Sequence, residues 1–152
     1  MIGVLNVYLA ARYSRREELL RYAADLEERG YIVTSRWLQG SHQIDDAGLS
    51  IEAKREERER FAHEDWEDLK GADACISFTE EPRTSNSRGG RHVEFGGALA
   101  FGQTVIVIGP RENVFHCLAQ VKWFPDWESF MEVEDTETAE RQKARGLALF
   151  FS

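Results

Sequence analysis

The sequence predicts a doubly wound α/β domain, with about five mostly parallel strands flanked by helices. Three observations predict it. Residues 2–10 (IGVLNVYLA) form a nearly continuous apolar run, the pattern of a strand buried on both faces of a parallel sheet. A helical stripe (Leu19, Leu20, Ala23, Leu26) and then a β-branched run at 31–35 follow, so the chain opens β-α-β with a right-handed crossover. Two more apolar runs, 72–78 (ADACISF) and 103–109 (QTVIVIG), each come after a helical pattern.

The remaining elements follow in order. Ser14-Arg15-Arg16-Glu17 has capping-box spacing for the first helix, and Gly30 stops it. Residues 39–50 are polar and turn-rich, a loop. Residues 51–70 form a highly charged helix whose first half is a solvated face. Its second half carries an apolar stripe of Phe61, Ala62, Trp66 and Leu69. After the strand at 72–78, residues 79–91 make a loop longer than the roughly two to six residues usual in α/β connections. Long loops at the C-terminal ends of strands tend to carry function. Beyond the strand at 103–109 come Pro110, a short helix near 113–118 and a short strand at 121–124. A segment around Trp127 and Phe130 follows, and a last helix covers 136–150. No repeat or linker interrupts the chain, so residues 1–152 are expected to be one domain.

The composition, 42% hydrophobic and 30% charged, is that of a soluble globular protein. A net charge of −8 argues against a nucleic-acid polymer as partner, since phosphate binding needs a basic face. The two cysteines, Cys75 and Cys117, lie in apolar segments without CxxC spacing and are expected to be reduced core residues. No signal peptide precedes the first strand, and no apolar run approaches membrane-spanning length. A cytoplasmic protein with no membrane partner is expected.

The stretch from Arg88 to Ala100 (RGGRHVEFGGALA) reads as a glycine-rich loop entering a short helix that is apolar on nearly every side. Glu94 stands in what reads as its first turn. It either caps the helix or does chemistry, because an unpaired buried charge is costly. Asp65 is a second anomaly: at 100° per residue it falls inside the apolar stripe, while Glu64 and Glu67 point away. It is either a carboxylate satisfied by backbone N–H groups or a functional acid. Tyr8 lies near the end of the first strand. In a doubly wound sheet these three converge on the crevice outside the strand ends. Two carboxylates and a tyrosine in one cleft suit chemistry at an acetal-like carbon, one attacking or stabilising the centre and the other handling the leaving group's proton.

The chain resembles the nucleoside 2-deoxyribosyltransferase superfamily, which includes the 2'-deoxynucleoside 5'-phosphate N-hydrolases. The matching pieces are Val7-Tyr8-Leu9-Ala10, the run from Asp65 to Asp73 (DWEDLKGAD), and Glu94-Phe95-Gly96-Gly97-Ala98 followed by Gly102-Gln103. They span about residues 5–130. The resemblance implies a flavodoxin/Rossmann-like fold. It implies Glu94 as the nucleophile that forms a glycosyl ester at C1', Asp65 as the acid for the departing base, and Tyr8 as the residue orienting the glutamate or the sugar. Asn113 and Phe115 sit where members reach into a neighbouring subunit's site, which implies a homodimer or dimer-based oligomer.

Two departures bear on substrate. Transferases often carry a base-reading acid six residues before the glutamate, where this chain has Arg88, and the C-terminal tyrosine of some transferases is absent. The N-hydrolases place a phosphate-holding serine near this loop. Here Ser85 and Ser87 with Arg88, Gly89, Gly90 and Arg91 could cradle phosphate, with Arg12, Arg15 and Arg16 adding to it. Alternatively the arginines merely balance an acidic protein. The four histidines (His42, His63, His92, His116) lack metal-ligand spacing, and neither a Walker sequence nor a dinucleotide fingerprint is present, so no metal or cofactor is expected.

The expected activity is cleavage of the N-glycosidic bond of a 2'-deoxynucleoside, with transfer of the deoxyribosyl group to another nucleobase through a glutamyl intermediate. The alternatives are a 5'-monophosphate N-hydrolase that releases free base and a non-catalytic nucleotide sensor.

Overall fold

The computed structural model describes residues 1, 3–40, 50, 52–84 and 88–151. Five strands, β1 (Asn6–Ala10), β2 (Ile32–Val33), β3 (Ala74–Phe78), β4 (Thr104–Ile108) and β5 (Val121–Phe124), form one parallel sheet in the order β2-β1-β3-β4-β5. Four helices flank it: α1 (Arg16–Glu28), α2 (Arg55–Lys70), α3 (Gly90–Ala100) and α4 (Trp127–Phe151). Short 3-10 turns occupy Tyr13–Arg15, Arg36–Gln39 and Val114–Cys117. This is the doubly wound architecture expected from the hydrophobic runs.

The register sorts the side chains between the two faces. Phe78 at the end of β3 stacks on Tyr22 of α1 and lies 5.9 Å, ring to ring, from Trp127 of α4. Side chains alternate along a strand, so Cys75, of opposite parity, faces α2 and α3. Tyr8 is its register partner on β1 and shares that face. The core of the sheet is fully buried, from Val7 to Ala10 on β1 and along all of β3.

Several boundaries differ from the sequence reading. The first strand starts at Asn6, because Gly3 turns the chain at a φ of 75° and Leu5 is exposed. β2 stops at Val33 because a side chain takes over its ladder: Ser35 Oγ accepts from the Leu9 N–H at 2.7 Å, and Trp37 Nε1 donates to the Leu9 carbonyl. The expected capping box does not form. A 3-10 turn fills that position, and the Arg15 guanidinium pairs with Glu18 instead. α2 begins at Arg55, after Lys54 in the left-handed region. The last helix is longer than expected, since the segment around Trp127 and Phe130 is its buried first turns. Cys75 is buried as expected, whereas Cys117 is exposed in its short turn. α3 is not buried all round: Val93 is 64% and Phe101 40% exposed. Most of the expected loop at 39–50, with His42, lies outside the described residues. No helix among them is long and apolar enough to cross a membrane.

Gly109 closes β4 at a φ of 113°, and a Cβ there would lie 2.7 Å from Thr79 Oγ1 and 3.3 Å from the Thr79 carbonyl oxygen. Both strain and overlap oppose any side chain. Gly109→Ala should destabilise the fold by about 2–4 kcal/mol in urea denaturation, and a loss below about 0.5 kcal/mol would contradict this account.

Candidate active site

The site is built where α2 and α3 cross the β1–β3 pair. Gly89, at a φ of 87°, adopts the left-handed backbone that lets the chain enter α3 directly at Gly90. The helix therefore starts earlier than the sequence suggested, and Glu94 sits one full turn inside it. No acid occupies the first turn, so Glu94 is not a capping residue. At the lower end of the groove α2 and α3 approach closely. A Cβ on Gly97 would lie 2.9 Å from the Trp66 ring and 3.0 Å from Leu69 Cδ2. That contact shuts the groove at one end.

Above it lies a cleft of about 540 Å³ lined by Asp65, Trp66, Ala62, Val93 and Glu94, with Glu59, His63 and Gly90 toward the mouth. The apolar stripe on α2 is thus only partly core. Leu69 is buried, while Trp66 is 41% exposed and forms a wall beside Phe101.

Three of the residues singled out by sequence meet here. Tyr8 is fully buried, and its hydroxyl titrates well above the usual tyrosine value, through burial first and then the Glu94 and Asp65 charges. Glu94 is half-buried as a residue, but its Oε2 is sealed from solvent. Burial pushes its carboxyl up to about 8, the Tyr8 phenol counteracts this, and the Asp65 charge adds to it. Among the described residues, neither Tyr8 Oη nor Glu94 Oε2 has a hydrogen-bond partner of normal geometry. The buried Cys75 thiol below them is also pushed up, by burial and then by Glu94. A desolvated carboxyl, a phenol able to hold its anion and a second carboxylate across the cleft can divide attack and proton transfer at one carbon.

The basic residues expected around a phosphate are differently placed. Arg91 is 4% exposed and its guanidinium grips Glu112 with both terminal nitrogens, Nη2 to Oε2 at 2.9 Å. It is therefore not available to cradle a phosphate. Arg12 lies 3.9 Å from Glu80, while Arg15 bonds Glu18 and the Thr79 carbonyl, and Arg16 bonds the Leu38 carbonyl. Arg88 is exposed beside Gly89 and does not line the cleft. Ser85 and Ser87 lie outside the described residues. Asn113 and Phe115 do not reach the cleft either. Asn113 Oδ1 caps its turn by accepting from the Phe115 N–H, and both residues line a second cavity, also about 540 Å³, on the opposite flank of α3.

Sequence reasoning missed Glu112. Besides gripping Arg91 at the start of α3, it accepts from the Glu80 N–H at 2.7 Å, and its own N–H donates to Nδ1 of the buried His116 at 3.0 Å. One carboxylate thus ties both ends of the loop between β3 and α3 to the segment after β4. A single charged residue between Arg111 and Asn113 carries no pattern that marks it.

Two predictions follow from this geometry. The folded chain keeps Glu94 protonated up to about pH 8, whereas the unfolded chain loses that proton near the ordinary 4.5. Stability held at low pH is therefore lost as pH rises between those values, by at most about 1.4 kcal/mol per unit. Glu94→Gln removes this dependence, so its advantage in melting temperature over the native protein should widen from pH 5 to pH 8; a constant gap would refute the assignment. Glu112→Ala leaves the Arg91 charge buried and unpaired, at a cost of about 3–5 kcal/mol in urea denaturation. The double variant Arg91→Met, Glu112→Ala should be more stable than that single one.

No protein-family model matches the chain, and no curated protein matches it by sequence. Solved structures do match by shape. A CMP N-glycosidase from Clostridium botulinum superposes with a TM-score of 0.57 at 20% identity, over 86% of this chain and 98% of that one. A 2-deoxyribosyltransferase from the psychrotolerant bacterium Bacillus psychrosaccharolyticus does so with a TM-score of 0.59 at 19% identity, over 81% of this chain and 88% of that one. The chain shares the fold of these two enzymes.

Proposed function

We propose that this protein is an enzyme that cleaves the N-glycosidic bond of a 2'-deoxynucleoside and passes the deoxyribosyl group to another nucleobase. The convergence of Glu94, Tyr8 and Asp65 on one apolar-walled cleft carries this reading. The ionised Glu94 carboxylate attacks C1', the bond to the base nitrogen breaks, and Asp65 gives the departing base its proton. The acceptor base then attacks C1' of the ester, Glu94 leaves as carboxylate, and the acceptor's proton returns to Asp65. Repulsion between the two carboxylates favours one proton on the pair; it rests on Glu94 in the free protein and must lie on Asp65 for the first step. Positive charge developing on the sugar stabilises the Glu94 anion in the low-dielectric site, and Tyr8 holds that anion in line. The same reading takes the protein as a homodimer or dimer-based oligomer, with Asn113 and Phe115 facing a partner's cleft.

An uncharged nucleoside fits better than a nucleotide. Among the described residues the charged groups at the cleft are the carboxylates Glu59, Asp65 and Glu94 beside His63, and Arg91 is held by Glu112. Chromatography of deoxynucleosides and their 5'-monophosphates, with and without a second base, tests this. A new deoxynucleoside that forms only with the acceptor supports transfer. Base release from monophosphates alone, indifferent to acceptor, would make the protein an N-hydrolase, and binding without any base release would make it a sensor.

The reacting pair must hold one proton, with Glu94 ionised and Asp65 protonated, so kcat/KM should fall as pH rises past about 8, where the pair loses that proton. Tyr8→Phe removes the group that lowers the Glu94 value and should move that fall to higher pH. Glu94→Gln should abolish base release at every pH, and retained turnover in it would refute the mechanism.

A further inference from the structure

The mouth of the cleft carries groups that the chemistry above does not use. Glu59, Ala62, His63 and Trp66 lie at i, i+3, i+4 and i+7 on α2, one face of the helix, and all four line the cleft. Gly97 and Trp66 shut its lower end, so a ligand whose reacting carbon sits between Glu94 and Asp65 extends toward Glu59. From Asp65 to Glu59 the helix rises about 9 Å. Trp66 and Ala62 on one side and Val93 on the other give flat apolar walls for a planar ring.

The polar groups at that outer end are acceptors. A carboxylate offers only lone pairs. His63 Nε2 lies 3.2 Å from Glu67 Oε1, and the carboxylate partner places the imidazole proton on that nitrogen. In the neutral ring this leaves Nδ1 bare. Two acceptors side by side favour an N–H2 group and repel a carbonyl oxygen.

Resting on the reading of this cleft as a nucleoside site, we propose that Glu59 and His63 select nucleobases bearing an exocyclic amino group, adenine or cytosine, over the oxo bases hypoxanthine and uracil. The pairing is the one a glutamate makes with the cytosine amino group in nucleic-acid recognition. Trp66 supplies the stacking surface, and Glu59 supplies the discrimination.

The test compares kcat/KM for release of base from deoxycytidine, deoxyadenosine, deoxyuridine and deoxyinosine in the native protein, Glu59→Gln and Glu59→Ala. The native protein should favour each amino base over its oxo counterpart by about tenfold or more, and both variants should bring that ratio close to one. A native ratio near one overturns the proposal. So does an equal fall for all four substrates, which would place Glu59 against the sugar. Calorimetric titration of Glu94→Gln with free cytosine, uracil, adenine and hypoxanthine reads the same preference without turnover. If no base is released by the native protein but cytosine and adenine bind selectively through Glu59, the catalytic reading fails and this one stands.

Discussion

One oxygen of a carboxyl group has been placed where water cannot reach it, and much of the structure serves that placement. Glu94 faces a phenol that is itself fully buried and a carboxylate that repels it. Such a group survives in a fold only when its neighbours are held firmly, because the protein cannot relax to solvate it. The parallel sheet supplies the firmness. β1 and β3 are neighbours although α1, β2 and α2 separate them in the chain, and Tyr8 pairs in register with Cys75. Chain direction diverges on either side of that pair, which opens a crevice at the strand ends. α2 and α3 become the crevice's walls, and the missing side chain at Gly97 sets how closely they approach.

The fold was legible because its signals are local and redundant. Short continuous apolar runs on β1, β3 and β4, rich in β-branched and aromatic residues and bounded by turns, suit strands buried on both faces, and Gly30 ends α1 as its position promised. What escaped was governed by partners distant in sequence. Ser14 had the spacing of a cap, but Arg15 and Glu18 found each other first. Glu94 looked like a first-turn acid because nothing local reveals that Gly89 turns the chain early and adds a turn to α3. Residues from Val93 to Phe101 are apolar on nearly every side, yet burial depends on what lies opposite, and Val93 has a cleft there.

Where the candidate residues lie was legible in part, from the same kind of local signal. Asp65 stood out because helical geometry placed a charge inside an apolar stripe, and the structure puts it on the cleft. The arginines were harder to read. Counting guanidinium groups near a glycine-rich loop says nothing of the acids that will meet them, and in a chain with 27 acidic residues against 19 basic ones a partner is always near. Arg91 found Glu112, from beyond the next strand, and a would-be phosphate ligand became a clamp.

That clamp bears on how the buried carboxyl is held. Glu112 fixes Glu80 and Arg91, the two ends of the loop between β3 and α3, so the first turn of α3 is anchored on the side away from the cleft. Three residues after Arg91, Glu94 inherits that position through the rigid helix. Its Oε2 is sealed at the same time as the outer cleft stays open, with Trp66 and Val93 exposed. The proposed reaction at one carbon needs this division. The reacting end must be dry, so that a carboxylate keeps its reactivity and a nearby charge is felt at full strength. For the proposed transfer the recognising end must stay open, so that one base can leave and another enter. The close contact at Gly97 and the clamp at Glu112 keep the first end rigid, and the exposed face of α2 leaves the second end free to read its ligand.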